Sequence, residues 1–143
     1  MQITLVRSQQ LPALRALYLA SRRAAFPWLD TSGYALSDFE RDTRDEQVLV
    51  AGEGAEVLGF IAVCPPDQFV HHLYVAPDRL RQGIGRALLR AARWRYPALH
   101  LKCLVRNRRA LLFYRAMGFT CLGQGTGAHG EYYWLALMPA GGR

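Results

Sequence analysis

The chain has 143 residues, 51% hydrophobic and 20% charged, a composition that excludes a disordered tail and is long enough to bury a core. Its net charge of +7 has one source: residues 79–115 carry eleven basic side chains and no acidic one, whereas residues 1–78 carry six basic and ten acidic. No apolar run approaches the ~20 residues that span a bilayer, and MQITLVRSQQ lacks the blocks of a signal peptide, so no membrane partner and a cytoplasmic location are expected.

No repeat or linker divides the sequence, and residues 1–143 are read as one domain. Ile3–Val6 is a short first strand. Apolar residues at Leu11, Leu14, Leu17 and Tyr18 predict a helix reaching Ala25, with Pro12 tolerated in its first turn. Ser37 is a candidate cap for a second short helix. Gln47–Ala51 and Val57–Val63 form a hairpin, and Phe69–Val75 supplies the next strand. From Gly83 to Arg95, Ile84, Ala87, Leu88 and Ala91 share one helix face and Arg86, Arg90 and Arg93 another. Leu99–Val105 alternates as a strand. Asn107 caps a last helix that stops at Gly118, and Phe119–Leu122 and Tyr132–Leu137 close the chain as strands. The expected fold is α+β, a mixed, mostly antiparallel sheet of seven strands with helices on its faces. Cys64, Cys103 and Cys121 occur singly in apolar segments without metal-ligand spacing, so buried reduced thiols and no metal are expected.

One stretch asks for a ligand. FVHHLYVAPDRLRQGIGRALLRAA, from Phe69 to Ala92, runs from a strand through a basic glycine turn into a helix. A helix N-terminus offers unpaired N–H groups and partial positive charge to an anion, and Gly83 and Gly85 would let a phosphate approach closely. There is no GxxxxGK[ST], and no GxGxxG followed by an acidic residue about 20 positions on. The turn alone leaves a phosphate site and tight helix–sheet packing both open. The charge block alone equally fits a basic nucleic-acid-binding module.

The whole arrangement is more specific: LYVAP, then GIGRALL, a strand, and then Asn107, Ala110, Phe113, Tyr114, Gly118 and Phe119 at fixed spacing. In these motifs and in the order of its elements the sequence resembles the GNAT superfamily of acyl-CoA-dependent N-acyltransferases. The resemblance implies acetyl-CoA as cofactor and a parallel strand pair, Phe69–Val75 and Leu99–Val105, that splays apart. It implies that the backbone of Leu73, Tyr74 and Val75 pairs with the pantetheine arm. The main-chain N–H groups of Arg81, Gln82, Gly83, Ile84, Gly85 and Arg86 would cradle the pyrophosphate, with Asn107, Ala110 and Phe113 on the same cofactor wall. The family usually has Gln or Arg where Leu80 stands here and often Gly at Arg81, which removes a polar side chain but no backbone donor.

The resemblance also assigns the chemistry. Tyr114 maps onto the tyrosine that protonates the departing thiolate, and the N–H of Val75 would meet the oxyanion of the tetrahedral intermediate. A primary amine is neutral only about once in 10³ at pH 7, a deficit of roughly 4–5 kcal/mol, so a base must take its proton. Where many members carry Glu on the fourth strand this chain has Phe69; strand alternation puts His71 on the face of Phe69 and Val75, with His72 facing the other way. Glu131, His129 and Tyr132 could serve instead through water. Acceptor contacts are expected from Phe26, Trp28, Tyr34, Glu131 and Tyr132, and Asp30, Asp38, Glu40 and Asp42 would favour a cationic amine. The expected function is N-acetyl transfer to a small-molecule or protein amine. A non-catalytic acyl-CoA binder and, behind it, a nucleic-acid-binding module are the alternatives, and a homodimer paired through the last strands is compatible with the family.

Overall fold

The computed structural model describes residues 1–139. Strand β1 (Gln2–Leu5) leads into α1 (Leu11–Ala25) and the short α2 (Asp38–Asp42). Strands β2 (Gln47–Glu53), β3 (Glu56–Cys64) and β4 (Phe69–Val75) follow as a meander. Then come α3 (Ile84–Arg95), β5 (Leu99–Leu104), α4 (Arg108–Ala116) and the hairpin β6 (Thr120–Gly127) and β7 (Gly130–Leu137). The seven strands form one sheet in the order β1-β2-β3-β4-β5-β7-β6. Every pairing is antiparallel except β4 with β5.

Helices cover both faces, and each covers the face its apolar stripe dictates. Leu14, Leu17 and Tyr18 of α1 pack with Phe39 of α2 on Val48, Val50, Phe60 and Ala62. On the other face Ile84, Leu88, Leu89 and Ala92 of α3 meet Leu49, Ile61, Val70, Leu99 and Leu101. Burying a side chain of this size contributes about 1.5–3 kcal/mol, so these two clusters set the layering.

Several local expectations change. The last hairpin is longer than alternation of Phe119–Leu122 and Tyr132–Leu137 predicts, because Gly123–Gly127 continue pairing with Trp134–Gly130 around a tight turn. Ser37 makes no side-chain cap; the Asp38 carboxylate accepts from the Ala35 N–H at 2.9 Å instead. Of the cysteines only Cys103 is buried, and Cys121 is exposed, because β6 is an outer strand of the sheet. Asn107 does cap α4, its side-chain oxygen accepting from the Ala110 N–H at 3.3 Å. Gly118 ends the helix at φ 100°, a conformation that costs other residues strain.

Candidate active site

The site begins where β4 and β5 part. Their only bridge joins Phe69 to His100, backed by the His100 N–H donating to the Gln68 carbonyl at 3.0 Å. Beyond it β4 stays paired with β3 alone. The Ala76 N–H donates to the Leu58 carbonyl at 2.8 Å. Alternation along an antiparallel ladder therefore turns the amides of Leu73 and Val75 away from β3 and into the gap. Ser21 Oγ donates to the Val75 carbonyl at 3.3 Å from across the opening, which agrees with that orientation.

At one end of the gap lies the start of α3. Gly83 precedes it at φ 80°, and Arg81 takes φ 65°, a left-handed conformation that explains why a glycine suits position 81. The first bond inside the helix runs from the Ala87 N–H to the Gly83 carbonyl, at 3.0 Å. The amides of Ile84, Gly85 and Arg86 thus have no acceptor within the helix, and no acidic side chain stands in its first turn. This is an unneutralised positive terminus. A Cβ at Gly85 would sit 3.3 Å from the Phe113 ring and 3.8 Å from Val75, so glycine here lets α3 close against α4 and β4. Donors in a helix turn, next to an open strand edge, fit an extended ligand that carries a phosphate group.

The gap opens into a cleft of about 830 Å³. Leu73–Val75, Arg81, Gly83–Arg86 and, from α4, Asn107, Ala110, Phe113 and Tyr114 all line it. Gln82 belongs to the same turn but not to the lining. Tyr114 packs edge-on against Phe113 and Phe119, at 5.3 Å between ring centres in each case. Burial pushes its phenol well above the ordinary tyrosine value, which keeps the proton on the oxygen. His71 and His72 line the opposite part of the cleft.

The histidine strand departs from simple alternation. A bulge pairs Ala62 with His72 and Val63 with Val70, leaving His71 without a partner on β3. Val70, Leu73 and Val75 pack toward α3, whereas Tyr74 packs toward α1 and the His72 ring meets Tyr18 at 5.4 Å. His71 is thereby swung off the face of Val75, against the expectation from alternation. Its ring lies 4.7 Å from that of Phe69, which in turn packs at a tilt against Trp134 at 5.6 Å. His71 Nδ1 meets the Glu46 carboxylate. The Nε2–H of His72 donates to the Asp42 carbonyl at 3.1 Å, and burial holds the His72 imidazole below its ordinary titration range.

The expected acceptor residues are dispersed. Phe26 lines the cleft, but Trp28, Tyr34, Glu131 and Tyr132 do not. The Tyr34 ring is taken by the Arg22 guanidinium at 4.3 Å, that of Trp28 by Arg106 at 4.8 Å and that of Tyr132 by Lys102 at 4.9 Å. Of the four early carboxylates, Asp30 accepts from the Ser32 N–H at 3.0 Å and the other three are paired with cations. Asp38 binds Arg22 and Arg41, Glu40 binds Arg15, and Asp42 accepts from the Tyr18 hydroxyl and pairs with Arg41. Sequence reasoning missed Lys102, which lines the cleft, and Glu46, which lies behind His71, and it set His72 aside as facing away although His72 lines the cleft. Only the pairing of distant strands brings Glu46 and Lys102 to this part of the fold, and no local pattern marks them.

Comparison with known proteins bears on this geometry. The sequence profile of the acetyltransferase (GNAT) domain matches residues 44–121, more than half of the chain. Escherichia coli peptidyl-lysine N-acetyltransferase YiaC is 32% identical over 113 residues, covering 77% of each protein. Among solved structures, apo YjaB from Escherichia coli superposes with a TM-score of 0.76 at 24% identity, over 97% of this chain and 98% of that one. The PaiA N-acetyltransferase of Thermoplasma acidophilum, solved with coenzyme A, gives 0.74 at 16% identity, over 96% and 99%. A strand pair splayed beside an open helix N-terminus, the matched profile and these relatives lead to one conclusion: the chain belongs to the GNAT family of acetyltransferases, whose cofactor is acetyl-coenzyme A.

Proposed function

We propose that this protein transfers an acetyl group to a primary amine, with a lysine side chain of a peptide or protein as the favoured acceptor. The reading rests on one observation above all. A single cleft runs from the bare amides of α3, past the open edge of β4, to a protonated phenol on one side and an imidazole on the other. The lysine preference is supported by the name of the relative at 32% identity.

Acetyl-CoA supplies the activated acetyl group. The amides of Ile84–Arg86 bind its diphosphate, and Leu73 and Val75 offer main-chain pairing to its arm. The Val75 N–H, aimed into the gap, is the donor for charge developing on the acetyl oxygen. His71 takes the amine proton and Tyr114 returns one to the departing sulfur. The test is acetyl-CoA turnover on a lysine-containing peptide, on the same peptide with every lysine acetylated, and on small amines. Turnover confined to the free-lysine peptide supports the reading. Coenzyme A binding without turnover on any amine would instead favour a non-catalytic acyl-CoA binder.

A further inference from the structure

Glu46 stands just before β2, and nothing in its sequence context marks it. In the fold it is a carboxylate whose side chain is only 6% exposed. One oxygen, Oε2, meets His71 Nδ1. The other, Oε1, is fully buried without a hydrogen-bond partner among the described residues, 4.0 Å from His72 Nε2. Burying an ion so incompletely compensated opposes folding, so the arrangement calls for a reason beyond packing.

The strand supplies one. The β-bulge releases His71 from the β3 ladder, the tilted Phe69 ring packs against its ring, and the carboxylate meets Nδ1. The cluster is otherwise closed. Asp42 from α2 presents its carbonyl to His72 and gives its carboxylate to Tyr18 and Arg41. Tyr74 stacks on His72 at 6.3 Å, and Cys64 at the end of β3 lies near both Glu46 and Asp67 of the following turn. With Nδ1 engaged, Nε2 is the one ring nitrogen of His71 left for the cleft.

We infer that Glu46 is a positioning residue that holds His71 in the Nδ1–H tautomer and presents the Nε2 lone pair to the incoming amine. The inference rests on His71 serving as the base. A carboxylate behind an imidazole fixes ring orientation and tautomer and stabilises the imidazolium formed when the ring takes a proton. Because His71 replaces the carboxylate base that position 69 lacks here, Glu46 restores an acidic group to the site through the imidazole.

The first measurement uses the wild-type protein: two-bond ¹H–¹⁵N correlation spectra of its histidines at pH 8, with His71→Ala identifying the signal. An Nδ1–H, Nε2-unprotonated ring at His71 is expected, and an Nε2–H ring overturns the inference. The second is kinetic. Glu46→Gln keeps shape and removes charge, and is expected to lower kcat/KM for the amine by about tenfold or more with the Kd for coenzyme A unchanged. Added to His71→Ala it is expected to cost nothing further. A Glu46→Gln enzyme within twofold of wild type, or losses that multiply in the double variant, sinks the role of Glu46. A His71→Ala enzyme at the wild-type rate sinks the base reading itself, so the two failures are distinguishable.

Discussion

At the scale of single residues, environment decides protonation, and protonation decides role. Tyr114 is an ordinary phenol placed where burial resists its anion, which is the state an acid needs. Tyr114→Phe is therefore expected to lower kcat about a hundredfold while leaving the Kd for coenzyme A unchanged, as calorimetry on the same samples would check. Because the phenol is held above the ordinary value of about 10, the wild-type enzyme should show no loss of kcat from Tyr114 ionisation below that pH. His72 shows the opposite shift. Burial disfavours its cation, so its folded value lies below the unfolded one of about 6.5. Below pH 6.5 the unfolded chain takes up a proton that the folded imidazole resists. This contribution to stability is complete above pH 6.5 and drains away on acidification until the folded value is passed. Thermal melts from pH 7.5 to pH 5 should show Tm falling, and His72→Gln, which can still donate to the Asp42 carbonyl, should flatten that slope. An unchanged slope would remove His72 as its source.

At the scale of elements, the turn into α3 separates two uses of glycine. Gly83 sits at φ 80° with nothing within 4 Å of the place a Cβ would occupy, so Gly83→Ala meets backbone strain and no clash. It should cost about 1–2 kcal/mol of folding stability in urea titrations and leave coenzyme A affinity within a few fold. Gly85 has no such φ, but a Cβ there would meet Phe113 and Val75. Gly85→Glu puts bulk and negative charge at a helix N-terminus meant for phosphate, and binding of coenzyme A should be lost at millimolar ligand while the far-ultraviolet spectrum stays native. The elements themselves were largely legible. Leu11–Ala25 and Phe69–Val75 coincide with their expected limits, because proline, glycine and apolar spacing act within a few residues. The length of the last hairpin was not legible, since Gly123–Gly127 carry no strand propensity and are held by their partners on β7.

At the scale of the whole molecule, the residues expected around the helix turn line one cleft, whereas most of those expected to meet an acceptor do not. A helix terminus and its glycines are local, so every residue expected on that wall lines the cleft except Gln82. The histidine part of the cleft is assembled from α1, a bulge in β4 and the β5 strand. There the bulge reverses an alternation argument for His71, and pairing with Arg15, Arg22 and Arg41 occupies Asp38, Glu40 and Asp42. The charge asymmetry survives the folding: Arg79, Arg81, Arg86, Lys102 and Arg109 all line the cleft, while Arg90 and Arg93 flank a separate groove beside the exposed Trp94. Two kinds of positive field therefore act on a phosphorylated ligand, long flexible side chains and fixed amide dipoles, and salt tells them apart. Raising ionic strength from about 0.05 M to about 0.5 M cuts the screening length to roughly 4 Å, which weakens attraction to exposed arginines but would barely touch the proposed contacts between the α3 amides and a diphosphate. The Kd for coenzyme A should rise severalfold over that range, and less for an analogue lacking the 3′-phosphate, while kcat at saturating cofactor stays constant. A salt-independent Kd would mean that the arginines serve solubility or another partner, and that the amides of α3 hold the cofactor alone.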